Sequence, residues 1–346
     1  MSAWRDACAL QAEACRALGS PLTARICEIL AEALDRPLVD RLASPLARRI
    51  RDWKGDITYH GASLPLRLCG ALQGLVLTGR SPRLASLPAD ELKSHIIYII
   101  QEYETWFLDW IELAPQTNEV GRSSVLLAAA GFLAGLSPAR FDLLELGASA
   151  GLNLNFPLYS IVSENINNSS SEDVILTPEW RGARPDLRPL RVGAARGVDL
   201  HPLDPQRDGL RLQAYIWPDQ PARLARMQAA LALAQSRPPV VDRGDAADWL
   251  ERQLAHQAPH GRLIFHTVAA QYFPDTTRQR IEAAMQAAGT CADADHPLAH
   301  VSMEGGGPRG MALDLRLWDG NGMRSWRLGH AQAHGGWIDW QPQEKA

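Results

Sequence analysis

Apolar residues recur at three- and four-residue steps through much of the first 140 positions, the spacing of one face of an α-helix. Prolines separate these segments, and proline cannot continue a preceding helix. No run in this part alternates apolar and polar residues as a strand does. The pattern therefore predicts helices and no strand, over residues 7–18, 23–34, 64–77, 91–113 and 123–136.

Beyond residue 140, short β-type runs alternate with helical ones, at 221–234, 246–255 and 275–288. Strands separated by helices of this length favour βαβ units and a parallel sheet. The segment Asp319-Gly320-Asn321-Gly322 is typical of a hairpin turn, so the sheet should finish with an antiparallel pair. The predicted strands are 141–146, 191–200, 239–243, 262–267, 299–304, 311–318 and 325–330.

This change of pattern predicts two domains, an all-helical one over residues 1–120 and an α/β one over residues 121–346. A polar, proline-containing insertion at about residues 160–190 interrupts the second domain. It is too long for an ordinary connection, which leaves a functional flap or a disordered segment. A small hairpin is expected around residues 174–177.

Composition narrows the possible partners. The chain has 346 residues, 46% apolar and 21% charged, with a net charge of −4, as in folded soluble proteins. Arginine and lysine form no cluster, so nucleic acid is not expected as a partner. No apolar run approaches the roughly 18 residues of a membrane span, and the N-terminus does not resemble a signal peptide.

The positions of the cysteines and histidines indicate the cellular compartment and the kind of site to expect. The five cysteines are scattered and never form C-x-x-C, which indicates reduced thiols and a cytoplasmic protein. Three His-x-x-x-His pairs have zinc-ligand spacing, but proline or glycine crowds each of them, so we expect no metal site. The sequence offers no prediction of oligomeric state.

The segment LLELGASAGLNL, residues 143–154, carries the candidate chemistry. It contains G-x-S-x-G, the pattern that presents a nucleophilic serine in α/β-hydrolases. Ser149 would be that nucleophile, with Asp245 and His266 available downstream. The same segment is also typical of a glycine-cornered loop that holds a nucleotide-like ligand against the backbone. The helical region before the segment favours the second interpretation, because a hydrolase needs several strands there.

The segment resembles the first motif of class I S-adenosylmethionine-dependent methyltransferases, an acid followed by alternate glycines. The resemblance continues in G-V-D at 197–199, in G-D-A at 244–246, and at the end of the fourth strand. It implies a Rossmann-like sheet in which Asp199 holds the ribose hydroxyls and Asp245 with Ala246 holds adenine. The loop residues would be Glu145, Gly147, Ala148, Ser149 and Gly151.

There are departures from this pattern. Serine replaces the middle glycine, Asp199 lies unusually far beyond the loop, and the fourth strand lacks the Asn/Asp-Pro-Pro-aromatic signature. More narrowly, the chain resembles a bacterial domain-of-unknown-function family, number 2332, placed near class I methyltransferases. That resemblance rests on P-Q-T-N-E-V-G-R-S at 115–123, L-E-L-G-A-S-A-G-L-N-L at 144–154 and G-V-D-L-H-P-L-D at 197–204.

The polar segment 115–124 precedes the helix at 123–136. If that helix packs antiparallel to the first strand, its start lies beside the loop at 147–151. Asn118 and Arg122 would then contact the cofactor, and the free N–H groups of the helix start suit a carboxylate. Gln116, Thr117 and Glu119 would line the substrate side. The alternative is an N-cap with its supporting polar turn.

Two further residues have two interpretations each. His266 ends an apolar strand, where it is either a catalytic base or a hydrogen-bonded core histidine. Tyr272 either flanks the substrate or anchors the following helix. We expect a methyltransferase that uses S-adenosylmethionine on a small-molecule acceptor, with the helical domain as a lid. The alternatives are a non-catalytic nucleoside-binding protein of the same fold and a serine hydrolase.

Overall fold

The computed structural model describes residues 2–35, 44–163, 166–168, 174–305 and 307–345. The chain divides into two compact units. The first comprises Met1–Thr117 and Asp208–Ala225, and the second comprises Asn118–Arg207 and Arg226–Ala346. No helix in the described part of the chain is long and apolar enough to cross a membrane.

The described residues between 2 and 117 form helices and no strand, as the hydrophobic pattern predicts. The predicted helix at 91–113 is two helices, because the backbone at Tyr103 departs from helical geometry (φ −116°). The α-helices within the described residues are α1 (Ala3–Ala17), α2 (Pro21–Ala33), α3 (Pro45–Arg51), α4 (Leu64–Leu77), α5 (Ala89–Glu102), α6 (Glu104–Ile111), α7 (Ser123–Leu136), α8 (Gly209–Ala214), α9 (Pro221–Ser236), α10 (Ala246–Leu254) and α11 (Asp275–Gly289).

The core of the first unit is formed by the apolar faces of α1 to α6. Ile29, Leu68 and Ile96 are fully buried there. Four of the five cysteines are buried in the same unit, whereas Cys291 in the second unit is exposed. Ser20 begins α2 by accepting a hydrogen bond from the N–H of Thr23, the arrangement that satisfies a free amide at a helix start.

The second unit is built on a nine-stranded sheet in the order β5-β12-β11-β10-β9-β8-β1-β6-β7. The strands from β7 to β9 are parallel, β9 to β12 are antiparallel neighbours, and β5 lies parallel to β12. The strands are β1 (Arg140–Leu146), β2 (Ser160–Ser163), β3 (Ile166–Asn168), β4 (Ile175–Leu176), β5 (Glu179–Gly182), β6 (Arg191–Asp199), β7 (Val241–Arg243), β8 (Gly261–Thr267), β9 (Leu298–Glu304), β10 (Met311–Trp318), β11 (Met323–Ala331) and β12 (Trp337–Glu344).

The prediction of a mixed α/β fold with a mostly parallel sheet and an antiparallel C-terminal hairpin is confirmed. β10 and β11 pair from Trp318 and Met323 outward, around the predicted turn. β5 and β12 are missing from the prediction, because β5 is short and polar and β12 ends in polar residues around Pro342.

The prediction of a small hairpin around residues 174–177 is wrong. β4 pairs parallel with β2, and the antiparallel partner of β2 is β3. A two-residue strand supplies too little alternation to show its partner, so only the structure could decide. Part of the predicted insertion, residues 164, 165 and 169–173, lies outside the described residues.

α10 and α11 cover one face of the parallel strands. Leu146, Ile264, Leu250 and Ile281 belong to one buried cluster there. At the antiparallel end of the sheet, Phe132 of α7 packs edge-on against two tryptophans, Trp326 and Trp340, with centroid distances of 5.8 and 6.3 Å. These apolar contacts hold the helices against the sheet.

Candidate functional site

The parallel strands end together at one rim of the sheet. The N–H of Gly147, directly after β1, donates to the carbonyl of Val198 on β6 (2.9 Å), and the N–H of Gly244, after β7, donates to the carbonyl of Asp199 (3.0 Å). Numbered in chain order, the five parallel strands lie as third, second, first, fourth, fifth. The order therefore reverses between β1 and β8, where open α/β sheets bind their ligands.

The loop after β1 is a sharp turn. Gly147, Ser149 and Gly151 all have left-handed backbone, with φ of 70°, 55° and 71°. A Cβ on Gly147 would lie 2.7 Å from Cβ of Ala269, and one on Gly151 would lie 2.6 Å from Cγ2 of Val241. Both glycines are therefore required by close packing as well as by φ.

This loop is tightly packed. Ala148, Ser149, Ala150 and Gly151 are buried, and Gly147 is partly exposed. A 3₁₀ turn, Leu152–Leu158, follows the loop in place of an α-helix. A ligand at this rim would therefore approach the loop beside Gly147 and could not use an α-helix N-terminus after β1.

Asp199, at the end of β6, lies against the loop. Its Oδ2 accepts from the N–H of Ser149 (2.8 Å), and its Oδ1 accepts from the N–H of His201 (2.9 Å). Its side chain is partly exposed. The structure thus places this predicted ribose ligand next to the predicted cofactor loop.

Asp245 and Ala246 lie on the same rim, after β7, at the start of α10. Oδ1 of Asp245 accepts from the N–H groups of Ala247 (2.9 Å) and Asp248 (3.1 Å). Its Oδ2 accepts from the Thr277 hydroxyl (3.2 Å). Helix capping alone explains an aspartate at this position, and Ala246 is buried.

Part of the 115–124 segment lies beside the loop. Oδ1 of Asn118 accepts from the N–H of Leu152 (2.8 Å), and Arg122 donates to the carbonyls of Thr267 (3.0 Å) and Ala333 (2.9 Å). These two side chains join the start of α7 to the ends of β1 and β8.

The three residues of this segment predicted to line the substrate side are Gln116, Thr117 and Glu119. Glu119 is buried and accepts from the N–H of Gly121 (3.0 Å), so it supports the turn before α7. Gln116 and Thr117 belong to the first unit.

Glu145, the acid that ends the apolar run of β1, is 2% exposed. Burial, together with the nearby Asp199 carboxylate, raises the pKa of Glu145 well above its ordinary value, and Arg122 acts in the opposite direction. Within the described ranges, neither Oε2 of Glu145 nor Oγ of Ser149 has a hydrogen-bond partner. Buried polar atoms without partners are costly, so this rim offers unused hydrogen-bonding capacity next to the loop.

His266, predicted as a possible base, has no free ring nitrogen. Its Nδ1 lies 2.8 Å from Oε1 of Glu304, and its Nε2 lies 3.0 Å from Nε2 of His300. It is 8% exposed. A base must present a lone pair to its substrate, so the geometry favours the alternative, a hydrogen-bonded core histidine.

The hydrolase interpretation lacks a triad. The Ser149 hydroxyl has no hydrogen-bond partner in the described part of the chain, although a serine nucleophile needs an adjacent base. Asp245 caps α10, and His266 is held by two other side chains. The positive φ of Ser149 therefore serves the turn.

Tyr272 is highly exposed, with 78% of its surface accessible. Its neighbour Phe273 lies beside the loop, because a Cβ on Gly147 would be 3.6 Å from its ring. Of this aromatic pair, the phenylalanine borders the rim.

Four residues of this region are absent from the sequence prediction: Val268, His300, Glu304 and Arg316. His300 and Glu304 do have a sequence signal, the alternation of polar residues at 300, 302 and 304 within an otherwise apolar strand. Among the described residues, no group of three or more His, Cys, Asp or Glu side chains is arranged to hold a metal ion.

A cavity of about 610 Å³ in the second unit lies away from the rim, at the amino ends of β8 and β9. Its lining includes His260 and Arg262 at the start of β8 and Leu298 at the start of β9. Two further cavities are lined by residues of the first unit.

A family model described as "Uncharacterized protein conserved in bacteria (DUF2332)" matches residues 5–340. The chain therefore belongs to this family. No curated protein and no solved structure matches the chain.

Proposed function

We propose that the rim at the carboxyl ends of the parallel strands binds S-adenosylmethionine and that the protein transfers its methyl group to a small-molecule acceptor. The observation that carries the proposal is the reversal of strand order between β1 and β8, with Asp199 hydrogen-bonded to the positive-φ loop at that point. Open α/β sheets bind ligands at such reversals.

Asp199 has the acceptor capacity that a ribose needs. A carboxylate offers about four lone-pair positions, and backbone N–H groups use one on each oxygen. The two positions left, one on each oxygen, suit the neighbouring hydroxyls of a ribose. Asp245 has a smaller reserve: in the described part of the chain, Oδ2 accepts one hydrogen bond, from Thr277, which leaves a position for one N–H of adenine.

Glu145 would face the charged tail of the cofactor. Its buried carboxyl has a raised pKa and an oxygen without a partner. An ammonium group near it would favour the ionised carboxylate, since opposite charges stabilise each other most where water is excluded. The unpartnered atoms of Glu145 and Ser149 therefore fit a polar ligand.

The cofactor would supply an electrophilic methyl group on a sulfonium. The residues of the chain would then act mainly by alignment, with Asp199 and Asp245 fixing the nucleoside and Asn118 and Arg122 holding the loop edges. Alignment alone contributes much of the rate of such bimolecular reactions.

One observation favours a second candidate, a nucleoside-binding protein without turnover. The end of β8 offers no free base, because both nitrogens of His266 are engaged. Binding assays do not separate the two candidates, whereas transfer of radiolabelled methyl to a metabolite extract does.

Titration calorimetry with S-adenosylmethionine and S-adenosylhomocysteine tests the proposal. We expect both to bind the wild type and Asp199→Asn to weaken both by about tenfold or more, because a charged hydrogen-bond acceptor is lost. Asp204→Asn is the matched control: Asp204 lies in the same loop region and accepts from the N–H groups of Gln206 and Arg207. Absence of binding to the wild type would refute the proposal.

A further inference from the structure

A chain of polar side chains crosses the sheet beneath this rim. Arg316 on β10 lies 3.0 Å from Nδ1 of His300 on β9, whose Nε2 lies 3.0 Å from Nε2 of His266 on β8. Nδ1 of His266 lies 2.8 Å from Oε1 of Glu304. At its outer end, Arg316 pairs with Glu282 of α11 at 2.6 Å.

Only one arrangement of protons satisfies this chain. Arginine can only donate, so Nδ1 of His300 accepts and its Nε2 carries the proton. Nε2 of His266 therefore accepts, and its Nδ1 donates to Glu304. Burial, with His266 and Arg316 nearby, lowers the pKa of His300 well below its ordinary value, as a neutral ring requires. The chain thus runs from a cation, Arg316, to an anion, Glu304.

The turn after β8 supplies two further hydrogen bonds to Glu304. Val268 has φ of 54°, which is strained for a β-branched residue. This turn brings the N–H groups of Ala269 and Ala270 to 2.8 and 3.1 Å from Oε1 of Glu304. Strain of this kind persists where the surrounding structure enforces it, often at functional sites.

The result is a carboxylate with two unequal oxygens. Oε1 of Glu304 accepts three hydrogen bonds, whereas Oε2 is buried and has no partner among the residues that the structure describes. Burial acts to raise the pKa of Glu304, but the bonds from His266 and the two amides outweigh it, and the pKa is lowered. Glu304 is therefore held as an anion and is better suited to binding a donor than to removing a proton.

Glu304 lies next to the loop. Ala269, which donates to Glu304, is the residue nearest to a Cβ on Gly147. A nucleoside laid along the rim from Asp245 on β7 to Asp199 on β6 would place its sulfonium near β1. The methyl group would then face β8 and β9.

We infer that Glu304 is the specificity-determining anchor for an N–H group of a neutral amine acceptor beside the transferred methyl. The lone pair of the amine would form the N–C bond as the C–S bond of the sulfonium breaks, and the product would leave as an ammonium ion, whose charge Glu304 would stabilise. This inference rests on the proposed function, because the order of groups along the rim comes from the nucleoside. Arg316, His300 and His266 act through Glu304 and are positioning residues.

The test compares two ligands that differ at the methyl position. Sinefungin carries a charged amine where S-adenosylmethionine carries its methyl group, and S-adenosylhomocysteine carries nothing there. We expect the wild type to bind sinefungin about tenfold or more tightly than S-adenosylhomocysteine, as one charged hydrogen bond requires. Glu304→Gln should remove that preference and leave S-adenosylhomocysteine affinity within about twofold, because only the charge facing the amine is lost.

Glu282→Gln is the matched control, since it removes the same charge from the exposed outer end of the chain and should keep the preference. If Glu304→Gln does not fold, Glu304→Asp is the second variant. Its shorter side chain moves the carboxylate away from the amine, so it should reduce the preference for sinefungin. Equal affinity of the wild type for both ligands would overturn the inference and leave the proposed function intact. A preference for sinefungin that survives in Glu304→Gln would also overturn the inference and leave the proposed function intact. Failure of both ligands to bind the wild type would refute the proposed function itself.

Discussion

Replacing Gly147 by alanine tests the structural basis of the rim. Gly147 has φ of 70°, and the added Cβ would lie 2.7 Å from Cβ of Ala269. The left-handed backbone costs roughly 1–2 kcal/mol for alanine, and forcing an extra methyl into a packed site costs typically about 1–3 kcal/mol. We therefore expect Gly147→Ala to lower the free energy of unfolding by about 2–5 kcal/mol.

Gly322→Ala is the matched control within the same unit. Its φ is 88°, and a Cβ there would meet nothing within 4 Å, so it should cost only the backbone part, about 1–2 kcal/mol. The double variant Gly147→Ala/Ala269→Gly removes the contact and should recover about 1–3 kcal/mol relative to the sum of the single changes.

Urea unfolding followed by tryptophan fluorescence and circular dichroism measures these differences. Since the chain has two units, the two probes must report the same transition before free energies are compared. Equal costs at Gly147 and Gly322 would refute the close contact between the two loops. Additivity of Gly147→Ala and Ala269→Gly would do the same.

Three further predictions concern buried polar groups. Because the pKa of Glu145 is raised, the folded chain keeps a proton that the unfolded chain releases, and the stability of the wild type therefore falls as pH rises. Glu145→Gln has no such proton, so its stability should gain up to about 1.4 kcal/mol per pH unit on that of the wild type between pH 5 and 7 in urea unfolding; a pH-independent difference would contradict this. Because the pKa of His300 is lowered, the unfolded chain takes up a proton that the folded chain does not, so wild-type stability should fall below about pH 6.5 with a slope that His300→Gln reduces by at most about 1.4 kcal/mol per pH unit; protonation of His300 near pH 6.5 by NMR would disprove it. Because Oγ of Ser149 has no partner, Ser149→Ala should leave stability unchanged or raise it by up to about 1 kcal/mol, and a fluorophosphonate should not label the wild type; labelling would revive the hydrolase.

The sequence predicts the elements whose periodicity is long and regular. The seven predicted strands correspond to strands of the sheet because their runs are apolar or alternating and end at turn residues. The predicted C-terminal turn joins β10 and β11. β5 and β12 escape prediction because their stability comes from pairing partners, which a local pattern does not show.

For the candidate site, sequence position and side-chain partners differ in how far they can be predicted. The rim location of Asp199 and Asp245 follows from their place after parallel strands. Their bonds do not, since the cap on α10 and the contact with Ser149 depend on loop geometry. The same limit applies to His266, whose two ring nitrogens are engaged by residues more than 30 positions away.

The polar chain from Arg316 to Glu304 shows what a sequence signal of such a site looks like. His300, Ser302 and Glu304 alternate with apolar residues on β9, and in the register His300 stands opposite Ile264 on β8 and Arg316 on β10. All of these point to the face that α11 covers, since Leu298 and Ile264 of the same rows lie in its buried cluster. An exposed strand face would explain polar alternation without cost, but a covered face makes each unpaired polar group expensive. Alternation on a covered strand therefore indicates a polar network, and the one oxygen that this network leaves unpaired marks the position where a ligand is expected.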